Sequence, residues 1–172
     1  DVAHSRPLPI NYGGPTGVVV FYGSNDGTFR ASSATDGREL WAFVAPEHHG
    51  RLKRLADNSP LITYPNTPPT VPSQRKDYFF DGSIGVFQNA DNTQVRVFPT
   101  MRRGGRMVYA FDVTAPTAPA LMWRVGCPNL TDDTGCTTGL SGIGQTWSFP
   151  NVARIKGLDP VLTGQLTRDE IT

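Results

Sequence analysis

Four short strand-like runs recur in the same order along this chain, and that repetition limits what it can fold into more than any single motif. Each unit opens on a Ser-led run, Ser5-Arg6-Pro7-Leu8-Pro9-Ile10 and Ser83-Ile84-Gly85-Val86-Phe87. A β-branched run follows, Val18-Val19-Val20-Phe21-Tyr22 or Val95-Arg96-Val97-Phe98. Next comes a Gly-rich turn, Gly23-Ser24-Asn25-Asp26-Gly27 or Arg102-Arg103-Gly104-Gly105. The third run is Thr28-Phe29-Arg30-Ala31 or Met107-Val108-Tyr109-Ala110-Phe111. The fourth carries a Trp, in Glu39-Leu40-Trp41-Ala42-Phe43 or Leu121-Met122-Trp123-Arg124-Val125. Ser148-Phe149-Pro150-Asn151-Val152-Ala153 reads as the opening of a third unit. Ser5 and Trp41 lie 36 positions apart, Ser83 and Trp123 lie 40 apart. Four short strands at that period, closed by one aromatic position, predict an all-β chain built as β-propeller blades.

On this reading residues 1–172 are part of one β-propeller domain. A first blade covers 1–45, a helical and loop insertion 46–80, a second blade 81–125, a cysteine-bearing loop 126–146, and the start of a third blade 147–172. Within the first insertion, Pro46 to Leu55 reads as a short helix, with Pro at the first helical position and Leu52 and Leu55 on one face. Tyr64 to Ser73, rich in Pro and Thr, reads as extended loop. Gly157 to Thr172 shows too little periodicity to place. Both insertions leave after a Trp strand and return at a Ser-led strand, so both are expected on one rim, where recognition loops collect. About two blades cannot close a ring of four to eight, and open edges aggregate. The chain, which begins on Asp1, is therefore expected to be a piece of a longer parent.

Charges nearly cancel, with 16 Lys and Arg against 15 Asp and Glu, which argues against nucleic acid as a partner. No apolar stretch is long enough to span a bilayer. Cys127 and Cys136 bracket one polar loop, the arrangement of a short-loop disulfide formed in an oxidising compartment.

No catalytic constellation is present: there is no Gly-x-Ser-x-Gly elbow around Ser5, Ser83 or Ser148, no phosphate loop and no His-Glu-x-x-His. The three serines read as structural positions on inner strands. His48-His49 lacks the i, i+4 spacing of a metal pair and reads as solvated surface. Asp132-Asp133 reads as an acidic turn, because its neighbours do not alternate as calcium ligands do. Arg102-Arg103-Gly104-Gly105-Arg106 reads as a solvated turn that uses Gly for positive φ. Trp41, Trp123 and Trp147 read as blade-closing core. Arg51, Lys53, Arg54, Arg102 and Arg103 are the candidate contacts for an acidic partner.

Taken in order, several stretches resemble the C-terminal β-propeller of the PilY-type type IV pilus assembly proteins and tip-associated adhesins. These are Phe21 to Ala31, Asp36 to Phe43, the Pro46–Leu55 helix, Tyr78 to Ser83, Gly104 to Pro116, and Gly144 to Pro150. The resemblance implies a non-enzymatic factor of pilus biogenesis and cell adhesion, at the cell surface or pilus tip after passage through the periplasm. Its implied partners are minor pilins of the tip, the rest of the parent chain, and a host or surface receptor. The family's regulatory calcium loop has no match here, so no cofactor is expected in this segment. Two other readings share similar blades: a quinoprotein dehydrogenase dependent on pyrroloquinoline quinone, and a periplasmic scaffold of outer-membrane protein assembly. The first needs a calcium site and a catalytic Asp and usually carries a vicinal disulfide, against which the spacing of Cys127 and Cys136 counts.

Overall fold

The computed structural model describes residues 1–63 and 73–153. Strands β1 (Leu8–Asn11), β2 (Val18–Gly23), β3 (Thr28–Ser33) and β4 (Glu39–Val44) form one antiparallel sheet in chain order. A 3₁₀ turn (Pro46–His48) leads into helix α1 (His49–Asp57), and a small parallel pair follows, β5 (Leu61–Thr63) with β6 (Ser73–Arg75). Strands β7 (Ile84–Gln88), β8 (Val95–Pro99), β9 (Arg106–Asp112) and β10 (Ala120–Cys127) form a second four-stranded antiparallel sheet, again in chain order. Among the described residues the fold is thus mostly β with one short α-helix.

The repeat seen in sequence is a repeat of register. Phe21 lies opposite Leu8 and Ala31, and Phe98 lies opposite Gly85. Trp41 faces Ala31 across β3 and β4, and Trp123 faces Ala110 across β9 and β10. In both sheets the register slips just before the Trp, so Leu40 and Met122 sit at matching irregularities. Each long strand alternates between faces as β geometry requires: Val19 and Phe21 are buried while Val18 and Tyr22 are partly exposed.

The core lies between the sheets. Val19, Phe21, Phe29 and Ala31 of the first pack on Val95, Val97, Tyr109 and Phe111 of the second, and Trp41 and Phe43 close in around them. Phe111 meets Phe43 at 5.0 Å and Phe29 at 5.7 Å between ring centroids, tilted or edge-on as ring quadrupoles prefer. Full burial of a Phe side chain is worth about 2–3 kcal/mol, so these rings dominate the joint. Two hydrogen bonds fix the approach: Trp41 Nε1–H donates to the Pro116 carbonyl at 2.8 Å, and Tyr12 O–H to the Val113 carbonyl at 2.7 Å.

Three expectations need correction. Trp41 and Trp123 are partly buried, but Trp147 is 49% exposed and closes no core. It sits on a returning loop with no sheet over it among the described residues. Ser148–Ala153 forms no strand, because a strand needs a ladder partner and the described residues supply none there. The serines also have no shared role. Buried Ser5 Oγ accepts from the Gly23 amide at 2.8 Å, Ser83 offers its carbonyl to Thr100 Oγ1–H at 2.9 Å, and Ser148 is exposed. The loop expected over Tyr64–Ser73 lies outside the described residues up to residue 72, as do residues 157–172.

Candidate functional site

Pro46 starts the 3₁₀ turn where its missing N–H costs nothing, and Asn58, left-handed at φ 48°, ends α1. The turn swings His48 inward, against the expectation that it is solvated. His48 is fully buried, donates Nδ1–H to the Gly27 carbonyl at 3.3 Å, and meets Phe79 and Phe80 edge-on at 5.0 and 5.1 Å. Burial, helped by the neighbouring Arg51 charge, pushes its pKa down to about 3, so the ring is neutral. His49 is exposed as expected. Glu47, which the sequence did not flag, turns in beside it: its carboxylate accepts from Tyr109 O–H at 2.8 and 2.9 Å, with Arg124 at 3.8 Å.

The basic residues of α1 divide into two kinds. Arg51 donates to the Tyr78 carbonyl at 2.8 Å and to the Gly104 carbonyl at 2.9 Å, with its guanidinium 4.9 Å above the Phe79 ring. Arg54 pairs with Asp77 at 2.6 Å and donates to the Gln74 carbonyl at 3.1 Å. Arg51 and Arg54 each donate inside the chain through both terminal nitrogens. Lys53 is exposed and pairs with Asp57 one helical turn on.

The turn between β8 and β9 is not the solvated hairpin that its Arg-Gly composition suggests. Met101, Gly104, Gly105 and Arg106 are buried. The positive φ falls on Arg102 (50°), whereas Gly105 is extended. Gly104 is needed for proximity: a Cβ there would overlap the Phe79 carbonyl.

Arg106 organises the cysteine loop. Its Nε–H donates to the Ile143 carbonyl at 2.6 Å, Nη1 to the carbonyls of Asn129 (3.2 Å) and Asp132 (2.6 Å), and Nη2 to Asp133 Oδ1 at 2.6 Å. This bond holds the Asp133 carboxyl below its usual range. Cys127 and Cys136 are joined by a disulfide. The three metal-capable groups found together among the described residues are Cys127, Asp133 and Cys136, and two of them are committed to that bridge.

Both insertions converge on residues 101–106. The helical insertion arrives through Arg51 and Phe79. The cysteine loop arrives through Thr146, whose carbonyl accepts from Arg102 N–H at 3.1 Å and whose Oγ1 accepts from Met101 N–H at 2.9 Å. Beneath them, fully buried Asp81 accepts from Asn25 Nδ2 and His4 Nδ1, both at 2.8 Å. Above them runs a stack of cations and rings. Lys76 lies 5.7 Å from the Tyr78 centroid, Arg103 lies 5.4 Å from Tyr78 and 5.7 Å from Trp147, and Arg102 lies 4.5 Å from Trp147. Of the five candidate contacts, Lys53 and Arg103 are exposed, Arg102 is partly exposed and lies 4.0 Å from buried Asp81, and partly exposed Tyr78 and exposed Trp147 lie beside the latter two. No helix among the described residues is long and apolar enough to cross a membrane.

No family model matches the chain. It is 27% identical over 139 residues to a type IV pilus biogenesis factor PilY1 homolog of Xylella fastidiosa, covering 79% of this chain and 9% of that protein. It is 30% identical over 150 residues to the type IV pilus biogenesis factor PilY1 of Pseudomonas aeruginosa, covering 84% and 11%. Among solved structures it is similar to the C-terminal domain of Pseudomonas aeruginosa PilY1, with 26% identity, a TM-score of 0.42, and coverage of 80% of this chain and 22% of that one. By these sequence relationships the chain is a PilY-type segment, spanning about a tenth of the length of the curated pilus biogenesis factors it matches.

Proposed function

We propose that this segment is two blades of a β-propeller in a non-enzymatic type IV pilus biogenesis factor, and that its insertion rim docks a pilus-tip subunit or a surface receptor. The propeller reading is supported by two sheets of equal register stacked face to face with a shared aromatic core. The blade and insertion boundaries at 1–45, 46–80, 81–125 and 126–146 follow it. Localisation at the bacterial surface, reached through the periplasm, follows the relatives' role in pilus biogenesis and accords with the disulfide. No cofactor is assigned to this segment.

The observation that carries the docking reading is the convergence of both insertions on the 101–106 turn. Arg51, Arg106 and the disulfide hold the loops in one shape before any partner arrives, which lowers the ordering cost of association. The surface they present is aromatic and basic, with Tyr78, Trp147 and Arg103 at its centre, residue types that dominate binding energy. An acidic partner segment fits it, with rim charges such as Lys53 steering the encounter and the rings supplying affinity.

The test replaces Arg103→Glu and Lys53→Glu together in the full-length protein and scores surface piliation and adhesion at matched expression. Reduced piliation with an unchanged melting temperature is expected. Normal piliation and adhesion would remove the rim from the working surface.

A further inference from the structure

We propose that Arg102 is the residue of the insertion rim that reads the partner, its guanidinium, held over the Trp147 ring, taking one carboxylate of an acidic peptide segment through paired N–H donors. This rests on the docking reading above and names the group that makes the docking selective.

The backbone singles Arg102 out. It stands in the left-handed region at φ 50°, where an L side chain is disfavoured. The other non-glycine residues at positive φ among the described residues are Asn58 and Asn92, a residue type that tolerates this conformation. Glycine would adopt it freely, and the same turn uses glycine two positions on, at Gly104. A strained position that keeps a large side chain points to a use for that side chain.

The guanidinium is held in place and its donors are open. It lies 4.5 Å from the Trp147 centroid, and the side chain is 26% exposed. Asp81 lies 4.0 Å away, beyond hydrogen-bonding distance. The Asp81 carboxylate already accepts from His4 Nδ1 and Asn25 Nδ2, both at 2.8 Å. The Arg102 fork therefore faces outward with its N–H pairs unmatched among the described residues, the geometry that takes a carboxylate by two bonds at once.

The surrounding row sets the class of ligand. Lys76, Tyr78, Arg103, Trp147 and Arg102 alternate cation and ring, at 4.5–5.7 Å from cation to centroid. Rings engaged by cations in this way count against a sugar, which binds by stacking on an open face. An anionic lipid surface calls for a cluster of about four to eight basic residues. Here Lys76 pairs with Asp1, and Arg102 has Asp81 beside it, so the row is only moderately positive. A peptide with separated carboxylates fits better. One carboxylate meets Arg102, a second meets Arg103, and an apolar side chain between them covers Trp147, which is 49% exposed.

The experiment places Arg102→Lys, Arg102→Gly and the Arg103→Glu, Lys53→Glu pair in the full-length protein. It scores surface piliation at matched expression and titrates each purified protein with an oligo-glutamate peptide. Lys keeps the charge beside Asp81 and loses the fork, so binding is expected to weaken at least about tenfold and piliation to fall. Arg102→Gly should bind as poorly with its melting temperature unchanged or raised, since the backbone strain leaves with the side chain. Arg102→Lys that binds and piliates normally, beside a defective Arg103→Glu, Lys53→Glu pair, overturns the role of Arg102 and leaves the rim. Normal piliation in every variant overturns both. A melting temperature lowered by both Arg102 substitutions overturns the proposal in favour of a structural role beside Asp81. Failure of the unsubstituted protein to bind oligo-glutamate, or tighter binding of oligogalacturonate or polyphosphate of equal charge, overturns the peptide as occupant.

Discussion

The two insertions solve one problem by different chemistry. Each must hang a loop on the 101–106 turn, and each uses an arginine that donates to backbone carbonyls. The helical insertion adds an apolar anchor, with His48, Phe79 and Phe80 buried in edge-on contact. The cysteine loop has almost no apolar contribution, and Leu130 is exposed. It relies on Arg106, Asp133 and the Cys127–Cys136 bridge. The comparison teaches that a loop that buries few hydrophobic side chains is ordered by directional bonds and a covalent link. A loop that buries rings can let its arginine be secondary.

That contrast is open to direct attack. Arg106→Ala should cost the most, about 3–4 kcal/mol, because three backbone carbonyls and the Asp133 carboxylate lose one buried charged donor. Urea unfolding gives the loss, and hydrogen exchange should place the local loosening in residues 127–146. Joint replacement of Cys127→Ser and Cys136→Ser should cost about 2–3 kcal/mol by loop-closure entropy and leave amide protection in both sheets intact. Sheet-wide loss of protection would show that the bridge supports more than its loop. Arg51→Ala should cost less than Arg106→Ala, about 2 kcal/mol, since the buried rings keep the insertion docked. Equal costs for the two arginines would erase the distinction drawn here.

His48 gives a pH test of the apolar anchor. The folded ring is neutral down to about pH 3, whereas an unfolded histidine takes up a proton near pH 6.5. The unfolded state therefore binds more protons between those values. The stability due to neutral burial is complete above pH 6.5 and falls as pH drops towards 3, by up to about 1.4 kcal/mol per unit. His48→Phe should flatten that slope, read from unfolding midpoints across the range; parallel slopes would mean that His48 is not the titrating group. The smallest effect belongs to Lys53→Ala. Its exposed pairing with Asp57 should leave the melting temperature unchanged, since such pairs contribute about 0–1 kcal/mol.

The strands were legible because their signals are local. Val18 to Tyr22 and Val95 to Phe98 carry β-branched alternation, Asp36-Gly37 supplies a turn with Gly37 at φ 72°, and each Trp follows a strand of small and aromatic residues. The helix start at Pro46 and the pairing of Cys127 with Cys136 were legible for the same reason. The site was less so. Glu47 and Arg106 carried no spacing signal, and Arg51 looked like any helical surface cation. Their roles depend on carbonyls and hydroxyls tens of residues away, at Tyr109, Gly104 and Ile143.

By itself, then, the sequence determined the order of strands, the turns between them and the repeat that gives both sheets the same register. These depend on side-chain alternation and backbone preference within a few residues. Tertiary structure alone decided that His48 turns inward, that Gly104, Gly105 and Arg106 are buried in their turn, and that Trp147 stays exposed while Trp41 is partly covered. Burial belongs to the surface an element meets, and the partner surfaces at Phe79, Thr146 and Pro116 are distant in sequence from the groups they cover or leave open.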